Sequence, residues 1–257
     1  MTPFRLTVML ALGLWLWGPA PAAAQGPNDR SRLIGIYGTD DRKIIEEDGP
    51  PWSAIGRVNR KSGGFCTGLL ITPHHVLTAA HCLWNRRTNR WFSPGELVFL
   101  PGYRMGSFLA NQPVRAIRPA PGVVMDERGR PRNLAHDWAV LTLRQPLFPD
   151  AALQPIALAD PAERQAVAAG RPLVRAGYSQ DRPHVPTSVR CTLLGRSGAL
   201  LLRHDCDGTW GDSGSPILLE TADGWRVLGL SVAVADRGAN SFGIANVIPD
   251  SFELPRD

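Results

Sequence analysis

Short apolar stretches that alternate with polar positions run through most of the chain. Residues 52–58 alternate like a half-buried strand, and two further apolar runs, 68–71 and 75–79, flank a Thr-Pro-His turn. The remaining candidate strands are 97–100, 114–117, 138–143, 173–178, 188–194, 199–203, 217–219, 225–234 and 242–248. Residues 162–169, which follow Pro161, predict at most one or two turns of helix. The pattern therefore favours an all-β protein.

These candidate strands form two groups of about six, separated by a proline-bounded linker at 146–155. The 26 glycines and 23 prolines agree with many tight turns between them. We predict two packed six-stranded antiparallel β-barrels, the first over 33–145 and the second, with the linker, over 146–257. A ligand site is expected in the cleft between the barrels.

The first residues of the chain read as a targeting segment. Arg5 supplies a positive charge, residues 6–17 are apolar, and Ala22-Ala23-Ala24 offers a cleavage site of small residues, which together predict a signal peptide over 1–24. The apolar run is short for a membrane span, so no membrane anchor is expected. Residues 25–32 are interpreted as a short pro-segment. We expect a secreted or periplasmic protein.

Charge and cysteine content narrow the classes further. The formal net charge of +5 comes from scattered side chains, and the densest group, Arg86, Arg87 and Arg90, is interpreted as a solvated loop, so no nucleic-acid partner is expected. Four cysteines allow three disulfide pairings: Cys66, Cys82, Cys191 and Cys206. A zinc site is disfavoured because the chain has no Cys-x-x-Cys spacing.

Two motifs supply a nucleophile and its base. In Gly-Asp-Ser-Gly-Ser-Pro, residues 211–216, glycines flank Ser213 and allow a tight turn whose N–H groups can stabilise an oxyanion. In Thr-Ala-Ala-His-Cys, residues 78–82, His81 can take the serine proton. Asp137, which precedes an apolar strand, is the candidate carboxylate that orients His81. Asp126 stays open as its alternative, and His136 as an alternative base is disfavoured.

The chain order His, Asp, Ser and the residues of both motifs resemble those of the chymotrypsin-like (trypsin-fold) serine endopeptidases. The resemblance covers about residues 52–246. Gly-Thr-Asp-Asp-Arg at 38–42, Cys-Thr-Gly-Leu-Leu-Ile at 66–71 and the Ser-Gly-Ser-Pro ending resemble the bacterial glutamyl-endopeptidase (V8-like) branch.

This resemblance implies a secreted endopeptidase that cleaves polypeptides without a cofactor and acts as a monomer. It implies disulfides Cys66–Cys82 and Cys191–Cys206, and oxyanion donors at Gly211 and Ser213. In trypsin-like zymogens the residue matching Asp212 receives a new N-terminal ammonium. Cleavage after Arg32 would create such a terminus at Leu33.

Substrate preference rests on two further stretches. Asp207 lies six residues before Ser213, where trypsin-like enzymes carry the aspartate at the base of the specificity pocket, and a buried carboxylate there would favour Arg or Lys. Ser231 stands where glutamate-preferring relatives carry a histidine. Val232, Ala233 and Val234 form a stretch of the pocket wall where trypsins have glycine, and their side chains would narrow the specificity pocket. We predict a basic preference first, small or apolar side chains next and glutamate last.

Two other functions agree less well with the sequence. A non-catalytic homologue that acts as a binding module would typically have lost a triad residue, whereas all three are present. An α/β-hydrolase esterase needs Gly-x-Ser-x-Gly and a histidine that follows the serine, which this chain contradicts.

Overall fold

The computed structural model describes residues 33–236 and 238–255, so the expected signal peptide and pro-segment lie outside the described residues. In chain order the strands are β1 (Lys43–Ile44), β2 (Ile55–Arg60), β3 (Phe65–Thr72), β4 (His75–Thr78), β5 (Trp84–Asn85), β6 (Arg90–Trp91), β7 (Leu97–Pro101), β8 (Gln112–Pro119), β9 (Ala139–Leu143), β10 (Pro172–Gly177), β11 (Thr187–Arg196), β12 (Leu201–His204), β13 (Pro216–Thr221), β14 (Gly224–Ala235) and β15 (Phe242–Val247).

The first barrel is closed, with its strands in the order β2-β3-β4-β9-β8-β7 and every neighbouring pair antiparallel. Alternate residues of each strand point inward. Ile55, Leu69, Leu77, Phe99 and Leu141 therefore meet in a core where none of them has exposed surface. The small hairpin β5–β6 lies outside this barrel.

The second barrel contains the other six long strands in the order β11-β10-β13-β14-β15-β12, and it closes where β12 pairs back onto β11. Its core is built in the same way from Leu202, Ile217, Leu228 and Ala245, all without exposed surface. The expected all-β fold of two six-stranded antiparallel barrels is confirmed.

One segment lies on a different barrel from the one predicted. The sequence predicts that residues 33–145 belong to the first barrel. However, β1 pairs with the start of β11 in the second barrel, where Lys43 lies opposite Ser188 and Ile44 opposite Thr187. The residues before β1 also contact the second barrel, since Gly208 donates its N–H to the Gly35 carbonyl at 2.8 Å. The N-terminal segment, residues 35–42, thus reaches across to the later half of the chain.

A short helix, α1 (Pro161–Ala166), follows the linker and ends three residues before the predicted limit. Asp160 accepts the N–H of Glu163 at 2.7 Å, and the Glu163 carboxylate accepts the N–H of Asp160 at 2.8 Å, so both ends of the capping box are satisfied. None of the described helices is long and apolar enough to cross a membrane.

The two barrels share one continuous apolar cluster at their contact. Tyr178, which follows β10, is fully buried in it, and its hydroxyl donates to the Tyr103 carbonyl of the first barrel at 2.8 Å. Buried contact of this kind holds the loops of both barrels in a defined relative position.

Candidate active site

His81 lies in a tight helical turn, Ala80–Leu83, directly after β4. The next residue, Cys82, is bonded to Cys66 on β3, and this disulfide ties the turn to the barrel wall. The imidazole keeps 15% of its side-chain surface exposed, whereas its neighbours Ala80 and Cys82 are buried. The disulfide-bonded turn therefore holds the His81 ring in a fixed position with part of its surface exposed to solvent.

Asp137 holds the imidazole with both carboxylate oxygens. Its Oδ1 accepts the backbone N–H of His81 at 2.8 Å, and its Oδ2 lies 2.6 Å from Nδ1 of the ring. The carboxylate is fully buried, and the Asp137 carbonyl accepts from Nδ2 of Asn246 in the second barrel at 2.7 Å. A buried carboxylate at Nδ1 fixes the ring and leaves Nε2 available as a base.

The alternatives to these two residues lie elsewhere. Asp126 sits in a turn where its carboxylate accepts the N–H groups of Arg130 at 2.8 Å and Arg128 at 2.9 Å, and these hydrogen bonds lower its pKa. His136 belongs to a helical turn, Leu134–His136, that ends directly before Asp137. The structure brings Asp137, and not Asp126, to His81.

Ser213 lies in the loop between β12 and β13, which bends sharply at two glycines. Gly211 has a φ of +97° and Gly214 a φ of +82°, in the left-handed region. A Cβ on Gly214 would come within 2.3 Å of the Thr67 carbonyl, so the loop is pressed against the first barrel. The Ser213 carbonyl accepts the N–H of Thr67 at 3.0 Å.

The loop with Ser213 adjoins the turn that contains His81, since the Ser213 carbonyl lies 3.8 Å from Sγ of Cys82. Among the described residues, the Ser213 hydroxyl makes no hydrogen bond to His81. Such bonds often tighten only when substrate is bound. The N–H groups of Gly211 and Ser213 donate to no described residue. Both donors are therefore available to a developing oxyanion.

Thr67 on β3 is a buried residue that the sequence did not single out as functional. Its hydroxyl accepts the N–H of Tyr178 at 2.9 Å and donates to the Gly211 carbonyl at 3.2 Å. The Thr67 hydroxyl and N–H together join the first barrel to Gly211 and Ser213, the two ends of the turn at 211–213 that is expected to supply the oxyanion donors (the oxyanion turn). No local pattern signals this role, because every partner is distant in sequence.

Strand β14 runs beside the nucleophile loop. Gly214 donates its N–H to the Ser231 carbonyl at 2.9 Å, and Ser231 donates its N–H to the Ser215 carbonyl at 2.8 Å. Val232 is buried, whereas Ala233 and Val234 are partly exposed. Val234 lines a cavity together with Ile36 and Tyr37 of the N-terminal segment.

Asp207, the residue predicted at the base of the specificity pocket, is bound by the N-terminal segment. Its Oδ1 accepts the N–H of Tyr37 at 2.8 Å, and its Oδ2 accepts the N–H of Asp41 at 2.9 Å. The residue is only 3% exposed, and burial raises the pKa of its carboxyl group. The carboxylate thus anchors the N-terminal segment to the second barrel.

Asp212, the residue that the resemblance relates to a new N-terminal ammonium, is bound by a side chain of the second barrel. Its Oδ1 is bound by Nη1 of Arg175, a fully buried residue of β10. The sequence placed Arg175 on a strand but gave no sign that its charge is buried, because the matching carboxylate lies 37 positions later.

Both disulfides have the pairing that the resemblance implies. Cys66 is joined to Cys82, and Cys191 on β11 is joined to Cys206 just after β12. Cys66, His81 and Cys82 form a cluster with metal-ligand spacing. Its two sulfur atoms are bonded to each other, so the cluster offers no thiolate to a metal.

Comparison with known proteins gives a consistent result. Residues 36–249 match the family model described as Trypsin. Granzyme M of Homo sapiens is 30% identical over 172 residues, which are 66% of this chain and 55% of that protein. Kallikrein 1-related peptidase b24 of Mus musculus is 27% identical over 199 residues, 74% of this chain and 66% of that protein. The chain thus spans 55–66% of the length of these relatives.

Among solved structures, a Glu endopeptidase in complex with MPD aligns with a TM-score of 0.67. The alignment covers 84% of this chain and 94% of that chain at 19% identity. At this identity the likeness shows a shared fold.

Proposed function

The chain belongs to the trypsin family, and we propose that it is a serine endopeptidase that hydrolyses peptide bonds through an acyl-enzyme on Ser213. The observation that carries the proposal is the double contact between Asp137 and His81, at 2.8 and 2.6 Å, beside the turn that contains Ser213. A buried carboxylate that orients an imidazole next to a serine is the arrangement that activates a hydroxyl.

In the proposed first half-reaction, the Ser213 oxygen attacks the carbonyl carbon of the scissile bond while Nε2 of His81 takes the hydroxyl proton. The carbonyl oxygen gains the negative charge and accepts from the N–H groups of Gly211 and Ser213. Asp137 stabilises the imidazolium. Collapse breaks the C–N bond, and His81 gives its proton to the leaving amine.

In the second half-reaction, a water molecule attacks the acyl-enzyme and His81 takes its proton. The second tetrahedral intermediate collapses, the Ser213 oxygen recovers a proton from His81, and the carboxylic acid product leaves. Every proton passes through the same ring, so no cofactor is needed. The two disulfides support a secreted or periplasmic location.

A fluorophosphonate probe, peptide hydrolysis and circular dichroism test this proposal. Wild-type protein should label on Ser213, whereas Ser213→Ala and His81→Ala should lose labelling and peptide hydrolysis while keeping the wild-type circular dichroism spectrum. Asp137→Asn should lower kcat by about 10⁴ because the ring loses its tautomer. The matched Asp126→Asn variant should retain wild-type kcat. A folded wild type that neither labels nor cleaves would favour the binding module.

We further propose that the enzyme prefers small or apolar side chains at the acyl side of the cleaved bond. Asp207 is buried, and the N–H groups of Tyr37 and Asp41 hold the N-terminal segment against its carboxylate, so a substrate cation would have to displace this segment to reach it. This revises the order of preference expected from the sequence.

Kinetics on matched Ala, Phe, Arg and Glu peptides test the preference. The kcat/KM for Ala or Phe should exceed that for Arg in wild type, and Asp207→Asn should leave the ranking unchanged. A preference for Arg that disappears in Asp207→Asn would restore the trypsin-like interpretation.

A further inference from the structure

Arg175 is a fully buried cation on β10, directly behind the loop that contains Ser213. Its Nη1 binds Oδ1 of Asp212, and its Nε donates to the Asp207 carbonyl at 2.7 Å. Burying an unpaired charge is costly, so each partner of this pair requires the other. The guanidinium thus contacts the loop at two points: Asp207, which precedes the turn at 209–212, and Asp212, which ends it.

Asp212 in turn shapes that turn. Its Oδ2 accepts the N–H of Thr209 at 2.8 Å, its N–H donates to the Thr209 carbonyl at 3.1 Å, and its carbonyl accepts the N–H of Ser215 at 2.9 Å. Gly211 lies inside this turn, and Ser213 follows it. Any group that holds the Asp212 carboxylate therefore also holds the two proposed oxyanion donors.

The same carboxylate is linked to the N-terminal segment through Ser179. The Ser179 hydroxyl donates to Oδ2 of Asp212 at 2.5 Å and accepts from Nη1 of Arg42 at 3.0 Å. Arg42 is 4% exposed and is held by Asp40 and Asp181 at 2.8–2.9 Å. Two internal arginines thus act on Asp212, one directly and one through a serine hydroxyl.

Resting on the endopeptidase function proposed above, we propose that Arg175 is the positioning residue that holds the oxyanion turn through Asp212. The ionic role that a newly cut N-terminal ammonium would play is already filled from within the chain. A protein that still contains residues 25–32 is therefore catalytically competent, and trimming to Leu33 is not an activation step.

The two possible cations differ in their response to alkaline pH. An α-amino group loses its charge near pH 8, whereas an arginine keeps its charge throughout the range in which enzymes work. The charged and titratable groups that face the pair are Arg42 and Tyr37 from the N-terminal segment, Asp207 from the same loop, and His204 from β12.

None of these neighbours gives an alkaline transition of its own. Burial raises the pKa of Tyr37 well above its ordinary value, and burial followed by the charge of Arg175 lowers the pKa of His204 to about 3. Burial raises the pKa of the Asp207 carboxyl group, and hydrogen bonds to Asp40 and Asp181 raise the pKa of Arg42 above its ordinary value despite its burial. We expect kcat to stay level between about pH 8 and 10.

The experiment compares two N-termini and, in both forms, variants of Arg175 and Ser179. Proteins that begin at Gln25 and at Leu33 are assayed for kcat, KM and fluorophosphonate labelling, with Ser213→Ala as the blank. Intact mass of the labelled Gln25 form confirms that residues 25–32 are still attached. Both forms should share one kcat and one level alkaline profile.

In either form, Arg175→Met should lower kcat by about 10² to 10³ with little change in KM, because the oxyanion donors act in the transition state. Arg175→Lys, which restores a cation, should recover part of that loss. If Arg175→Met does not fold, Ser179→Ala, which removes one of the three donors to Asp212, should give a smaller loss of kcat.

Activity confined to the Leu33 form, or a kcat that falls near pH 8 only in that form, would overturn the assignment. So would an Arg175→Met variant that folds and keeps wild-type kcat, or, if it does not fold, a Ser179→Ala variant with wild-type kcat. Absence of labelling in every form, with folding intact, would instead contradict the endopeptidase function itself. The two failures are therefore distinguishable.

Discussion

Thr67 shows how strongly the site depends on a side chain that takes no part in the chemistry. Its hydroxyl accepts the N–H of Tyr178 and donates to the Gly211 carbonyl, and its backbone N–H donates to the Ser213 carbonyl. A buried hydrogen-bonding group left without its partner costs about 1–3 kcal/mol. Because those partners belong to the oxyanion turn and to the barrel contact, loss of this hydroxyl should affect both turnover and stability.

We therefore predict that Thr67→Val lowers kcat and reduces the free energy of unfolding by about 1–3 kcal/mol, since valine keeps the shape but not the hydroxyl. Thr67→Ser, which retains the hydroxyl, should stay close to wild type in both properties. Urea unfolding and steady-state kinetics measure the two effects. Equal behaviour of the valine and serine variants would contradict the assigned role.

At the scale of single elements, the two disulfides offer a direct comparison. They close loops of similar length, with sequence separations of 16 and 15, but only Cys66–Cys82 adjoins the turn that contains His81. The loop-closure model gives about 3 kcal/mol for each. Equal effects on stability should thus accompany unequal effects on catalysis.

The test replaces each pair by alanine. Both double variants should lose about 3 kcal/mol of unfolding free energy, whereas kcat should fall more for Cys66→Ala/Cys82→Ala than for Cys191→Ala/Cys206→Ala. Denaturant titration and kinetics at a temperature where both variants are folded supply the measurements. A larger loss of kcat in the second pair would show that the His81 turn does not depend on its bridge.

Most long strands could be predicted because they are apolar runs between turn residues, and every residue of β4 and β9 is buried. The strand predicted at 52–58 begins only at Ile55, because residues 52–54 form a helical turn. β1 could not be predicted, because it has two residues and depends on pairing with β11, more than a hundred positions later. The same limit applies within the site. His81 and Ser213 stand in recognisable local motifs, whereas Arg175, Thr67 and Asn246 act through partners that only the folded chain brings near.

For the molecule as a whole, His204 links stability to pH. It is fully buried on β12, and burial, aided by the charge of Arg175, lowers its pKa from 6.5 to about 3. Between these two pKa values, His204 is protonated in the unfolded chain but not in the folded protein. Stability should be complete above about pH 6.5 and fall as pH drops toward 3, by up to about 1.4 kcal/mol per pH unit.

Replacing His204 by phenylalanine, which keeps a ring against Gly243, should flatten this dependence. The variant's absolute stability is not the readout, because the ring nitrogen also accepts the N–H of Cys206. Unfolding free energies at a series of pH values between about 4 and 7 give the slope. An unchanged slope in His204→Phe would assign the acid sensitivity to other groups.

The attachment of the N-terminal segment to the second barrel also orders events in time. Tyr37 leaves the ribosome 170 residues before its partner Asp207, a delay on the order of ten seconds at ordinary rates of translation. The half of the chain with the base and its carboxylate is complete well before the half with the nucleophile. Under the proposed mechanism, a nascent chain therefore lacks its nucleophile until the second barrel has been synthesised, and only then can Asp207 bind the N-terminal segment.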